Sequence, residues 1–215
     1  MRQWMIVLSI IALLIYAGRV LEHNQQQTAL PSEADITALE KAMRGAGGSL
    51  EGVRFLLVAP IADPAVPGGL EERLGWAGPP RGGEFREARL YTEHGMYYLA
   101  LDWRMTGEQV ARWAANHRNL SQALRELGIA TPVHVQLEGR VAATARNLLE
   151  MTNQALDQVA AEGRQPWNGK RSASVAGRSA YLPKGPHEVN VQAAARQTGK
   201  DVRLWVAWPA LTGDY

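Results

Sequence analysis

The chain has 215 residues, with 23 Lys and Arg against 21 Asp and Glu, five His and no cysteine. That length holds about one and a half average domains, and without cysteine a disulfide framework, a thiolate zinc site and a cysteine nucleophile are all excluded. Two of the 23 basic residues, Arg2 and Arg19, precede the first acid, Glu22, so from residue 22 onward 21 basic residues face 21 acidic ones. A body with no net charge lacks the broad positive field that draws proteins to polyphosphate backbones.

Between Arg2 and Arg19 lies WMIVLSIIALLIYAG, residues 4 to 18, uninterrupted by charge. At ~1.5 Å per residue the run nearly crosses a ~30 Å hydrocarbon core once Val20 and Leu21 join it. A cleaved secretory signal wants small residues at the cut, and for cuts near Ala17 and Gly18 either Tyr16 or Ile15 stands there instead. Residues 1–21 therefore read as an uncleaved signal anchor. Arg2 stays cytoplasmic and the body lies outside a single-pass cell membrane protein by the positive-inside rule; were the run cut, the body would be secreted. Residues 22–31, beginning Glu22-His23-Asn24-Gln25-Gln26-Gln27, read as a polar tether.

Ser32 and Asp35 have the spacing of a capping box, and Ile36, Leu39 and Met43 recur at helical spacing until Gly45, Gly47 and Gly48 end the helix. Gly52–Ala59 is rich in residues that suit a buried strand, closed by Pro60, Pro64 and Pro67. From 60 to 84 Gly and Pro dominate, and only Leu70–Trp76 fits a short helix. Glu71 and Glu72 are adjacent there; neighbours on a helix point apart, so the pair reads as a solvated face. Strands are expected at Phe85–Thr92 and Met96–Trp103, joined by a tight Glu93-His94-Gly95 turn.

Thr106 and Gln109 make a second capping-box pair. It opens a helix with Val110, Trp113, Ala114, Leu120, Leu124 and Leu127 on one stripe and Gly128 at its end. His117, beside that stripe, reads as a packed, hydrogen-bonded histidine. Thr131–Glu138 is a strand, Val141–Ala161 the longest helix, and 162–170 a loop. Ser172–Tyr181, Glu188–Arg196 and Asp201–Trp208 complete the chain as strands. The order strand, helix, meander occurs twice. It predicts an α+β protein of two tandem related units, residues 32–105 and 131–215, each an antiparallel sheet with helices on one face, bridged by a helix within 106–130.

Glu188-Val189-Asn190-Val191-Gln192-Ala193-Ala194-Ala195-Arg196, then Val202 to Pro209, then Leu211-Thr212-Gly213-Asp214-Tyr215 resembles the C-terminal signature of the YwmB family of Gram-positive bacteria. That signature is a strand reading Asn-hydrophobic-Gln-x-Ala-x-Arg, a turn, a strand reaching a Pro, and an acidic-Tyr end. The order of elements is similar from about residue 33 onward, with a departure at 60–84, where relatives carry a fuller helix. The resemblance implies a saddle like that of the TATA-box-binding protein. It brings no catalytic, cofactor-binding or metal-binding residues and no established molecular function. DNA binding by that saddle is a fold-level analogy, which does not transfer function, and a neutral exported body argues against nucleic acid as a partner.

The chain contains no phosphate-binding Gly-rich loop ending in Lys-Ser/Thr, no Gly-x-Ser-x-Gly, no His-Glu-x-x-His and no Ser-x-x-Lys. No catalytic residue, metal site or cofactor is assigned, and the expectation is that the protein is not an enzyme. The alternative is an envelope enzyme with a site between the two units, using His134 or His187, or carboxylates such as Asp63 and Asp102 brought together by folding. A sheet face is the better candidate. If Val189, Val191, Ala193 and Ala195 face the helices, Asn190, Gln192, Ala194 and Arg196 face away; if Val202, Leu204, Val206 and Trp208 face in, Arg203, Trp205 and Ala207 face out. Asn190, Gln192, Arg196, Arg203 and Trp205 thus form a candidate binding face for an envelope protein or wall polymer. Arg164, Lys170, Arg171, Arg178 and Lys184, in a stretch without acids, are candidate contacts for anionic wall polymer or lipid head groups. The expected function is that of a membrane-tethered extracytoplasmic interaction module.

Overall fold

In the computed structural model the described residues are 33–142, 147–182 and 189–209. The predicted anchor, the tether and Ser32 lie outside them. Helix α1 (Glu33–Gly45) buries Leu39, Ala42 and Met43. It ends where Gly47 takes φ 81° and the amides of Gly47 and Gly48 return to the carbonyls of Arg44 and Met43 at 2.8 and 3.0 Å, a left-handed exit that favours glycine. Strand β1 (Ser49–Ile61) follows and buries Val53, Phe55, Leu57 and Ala59 on one face.

Helix α2 (Val66–Arg73) starts ahead of the predicted Leu70–Trp76, because Pro67 supplies a first-turn residue that needs no amide partner. Strands β2 (Glu84–Glu93) and β3 (Met96–Thr106) meet through His94 and Gly95, both with positive φ, 49° and 77°, as a two-residue hairpin turn requires. The predicted cap at Thr106 is not made: its hydroxyl donates to the Gly83 carbonyl at 3.0 Å, and Gly107–Arg112 winds as a 3₁₀ turn before α3 (Trp113–Glu126). His117 on α3 is buried with Phe55 edge-on at 5.6 Å. The hydrogen bond expected for it is missing at Nε2, which has no partner among the described residues.

Strand β4 (His134–Ala142) takes the first residues of the predicted long helix: Val141 and Ala142 pair with Val202 and Asp201. Helix α4 is only Leu148–Asp157, capped by Asn147, whose Oδ1 accepts the Leu149 amide at 2.9 Å. The predicted 162–170 loop contains strand β5 (Glu162–Asn168). Its Pro166 hid it, since Pro enters sheets only at edges or irregularities. Then come β6 (Ser172–Arg178), β7 (Val191–Thr198) and β8 (Asp201–Trp208).

The eight strands form one sheet in the order β2-β3-β1-β4-β8-β7-β6-β5, and each neighbouring pair is antiparallel. Where two sheets were expected there is one, because β1 and β4 pair directly, Phe55 opposite Val135. Phe55, Leu101, Leu137, Leu204 and Trp208 from the strands join Met43, Leu70, Leu124 and Leu156 from the four helices in a single buried cluster. All four described helices therefore bury their apolar stripes on one side of the sheet. Among the described residues, the other side has no helical layer. No described helix is long and apolar enough to cross a membrane.

Candidate functional site: an apolar pocket on the open sheet face

Antiparallel register lays side chains across the open face in rows, since directly opposed residues share a face. Glu87, Asp102, Leu56 and His134 form one row; Arg89, Ala100 and Val58 the next; Tyr91, Tyr98 and Pro60 the one beyond. Before β4 begins, Thr131 and Pro132 rise beside β1 as a wall. The result is a pocket of about 590 Å³ with Leu56, Val58 and Ala100 beneath, Thr131, Pro132 and His134 at the side, and Glu87, Arg89 and Asp102 around it. That volume falls within the ~300–1,000 Å³ usual for ligand sites. Val58 is 58% exposed between buried Leu57 and Ala59, an apolar side chain left facing water.

The charges beside the pocket are already matched. Asp102 accepts Nε and Nη2 of Arg54 at 2.9 and 2.8 Å and Nη2 of Arg104 at 2.6 Å. Burial pushes its pKa up, but the hydrogen bonds from the two guanidiniums outweigh this and hold the carboxyl below its usual value. Asp102 is thus a fixed anion and a poor proton donor. Arg89 pairs with Glu87 at 2.5 Å, and Tyr91 and Tyr98 stack at 5.1 Å with 13° between their planes. The pocket thus combines an apolar floor with ion-paired polar edges.

The five residues predicted as a binding face differ in exposure. Asn190 is 3% exposed; its Oδ1 accepts the Ser179 amide at 2.7 Å and its Nδ2 donates to the carbonyls of Ser179 and Leu182 at 2.8 and 3.1 Å, fixing the turn after β6. Trp205 is 9% exposed, in a row with buried Ala194 and Ser174, so the exposed indole inferred from alternation is not found. Gln192 is half-buried, and Arg196 and Arg203 are exposed, with Arg203 ion-paired to Glu138.

Among the predicted anion contacts, Arg164 is half-buried and braces β5 against α4, donating to Ala161 O at 2.9 Å and to Asp157 at 2.5 Å. Lys170, Arg171 and Arg178 are exposed; Lys184 lies outside the described residues, as does His187. Asp63 accepts the Ala65 amide at 2.8 Å in the turn before α2, while Asp102 is held by arginines on the sheet. No group of three or more His, Asp or Glu among the described residues is placed to hold a metal ion. The pocket had a sequence signal: with Val53, Phe55, Leu57 and Ala59 inward, Leu56 and Val58 are apolar on the outward side, but reading the run as wholly buried concealed it.

No family model and no curated protein matches the chain. Among solved structures, it is similar to the crystal structure of DynU16, a protein of the dynemicin biosynthetic locus. The likeness has 12% identity and a TM-score of 0.22, over 74% of this chain and 86% of that one, and at that score it carries no argument.

Proposed function

We propose that the chain is a membrane-tethered extracytoplasmic binding module of the YwmB type. Its open sheet face takes an apolar side chain of an extended partner polypeptide into the pocket over β1 and β3. One observation carries this reading: Val58 stands exposed at a pocket of about 590 Å³ on a face that, among the described residues, has no helical layer. A polypeptide partner fits because β2, the outer strand beside the pocket, offers main-chain hydrogen bonds that an extended segment can use. On the same face Phe85, Tyr91 and Met96 are exposed. The tandem-unit, saddle-like reading draws support from strand order. β1 and β4 are central neighbours, and each is flanked by the last strand of its own meander, β3 or β8. The tether rests on the apolar run of residues 4–18.

A random-peptide display library selected on the full chain tests the pocket. Enriched peptides should share an aliphatic or aromatic residue, bind Ala100→Trp at least ~10-fold more weakly, and bind Trp205→Ala as they bind the wild type. Peptides that bind Ala100→Trp undiminished would overturn the pocket as the site. A periplasmic-type alkaline phosphatase fused after Tyr215 should be active; an inactive fusion made in normal amounts would overturn the sidedness alone.

A further inference from the structure

The Gly- and Pro-rich stretch between α2 and β2 is tied down at several points. Trp76 meets Trp103 edge-on at 5.1 Å, and the Arg86 guanidinium lies 5.6 Å from the Trp76 ring centroid. Trp103 Nε1 donates to Glu84 at 2.9 Å, the Arg81 amide donates to the same carboxylate at 3.2 Å, and Arg86 donates to the Gly78 carbonyl at 2.5 Å. Between this stretch and α3 lies a second cavity, of about 340 Å³, on the helical side of the molecule. Four arginines line it, Arg73, Arg81, Arg86 and Arg112, together with Asn116 and Asn119.

The charge balance here departs from that of the rest of the body. Glu84 is the only carboxylate in the lining; its side chain is 7% exposed, and it is engaged by Trp103, by the Arg81 amide and by Arg86 at 3.8 Å. Arg73 reaches out to Glu126 at 3.3 Å. Neither Arg81 nor Arg112 forms an ion pair with any described carboxylate. Several guanidiniums lining one cavity with a single carboxylate favour an anion there, and the forked N–H donors of arginine match the oxygens of phosphate.

We propose that this cavity binds the phosphate group of a small phosphate ester, held by the guanidiniums of Arg81, Arg86 and Arg112 with the Asn116 and Asn119 amides alongside. A volume of about 340 Å³ suits a single ester group. This inference is independent of the pocket over β1 and β3.

The test uses the full chain in nonionic detergent micelles, titrated with glycerol phosphate and followed by tryptophan fluorescence, since Trp76 and Trp103 line the cavity. Sodium chloride at matched ionic strength is the control. Saturable binding is expected, weakened at least ~10-fold by Arg81→Gln with Arg112→Gln. Arg171→Gln and Ala100→Trp should leave it unchanged, and the thermal midpoint of the double variant should match the wild type. Adding phosphatidylglycerol to the micelles separates the sources. A glycerol phosphate response that persists assigns the cavity to a soluble ester; one already saturated, in the wild type but not in the double variant, assigns it to a lipid headgroup. Equal affinity in the wild type and the double variant, or a chloride response of the same size, would overturn the proposal.

Discussion

On α3 the imidazole of His117 is 2% exposed, and burial pushes its pKa down to about 4. In an unfolded chain imidazole titrates near ~6.5, so as pH falls the unfolded state takes up its proton first. This contribution to stability is complete above pH ~6.5, declines as pH falls toward 4, and is reduced by roughly 3 kcal/mol at the foot of that window. The lowered carboxyl of Asp102 acts in the same sense but only below its ordinary 3.8, so the two effects separate. The urea midpoint of the wild type should fall between about pH 7 and about pH 4, and that of His117→Leu should fall much less; parallel curves would refute the assignment. The stripe carrying His117 was legible in the sequence. The missing partner at Nε2 was not, because it depends on what β1 places against the ring. Trp205 gives the same lesson: alternation names a side of the sheet, whereas exposure depends on neighbours such as Ala194 and Ser174, whose register with β8 comes from long-range pairing.

Elements meet closely where α1 lies against β4. A Cβ at Gly139 would stand 2.5 Å from Met43 Sδ and 2.7 Å from the Ser49 carbonyl oxygen. The thioether can swing aside, but the carbonyl belongs to β1 and cannot. Gly139→Ala should therefore cost ~1–3 kcal/mol, whereas Gly68→Ala, in α2 with open space around it, should raise stability by up to about 1 kcal/mol. Paired chemical denaturation of the two variants checks this, and equal shifts would show that the contact is not limiting. At this scale the sequence was readable wherever a local signal acted alone, as in the Gly47 exit from α1 and the His94-Gly95 turn. It misled where two periodicities overlapped. Val141 suits a helix face and a strand equally, and its pairing with Val202 decides for the strand.

On the open face five guanidiniums are already matched with carboxylates: Arg54 and Arg104 with Asp102, Arg140 with Glu51 and Asp201, Arg203 with Glu138, and Arg89 with Glu87. A duplex would have to compete for each of them, so the full chain should give no mobility shift of duplex DNA at ~0.15 M salt; a shift that weakens steeply with added salt would contradict this. Neutrality was visible from counting residues. The merging of two expected sheets into one was not, because it rests on β1–β4 contacts such as Ser49 to Arg140, 91 residues apart. The two ends of that sheet also differ. β5 carries Pro166 and an irregular register between Glu162 and Gln165, whereas β2 runs ten residues in unbroken register with β3. Among the described residues, β2 is therefore the more regular rail for a second copy. Two molecules joined along β2 would close on each other about a twofold axis, and a third would meet only β5, whose proline and irregular register disfavour growth into fibrils.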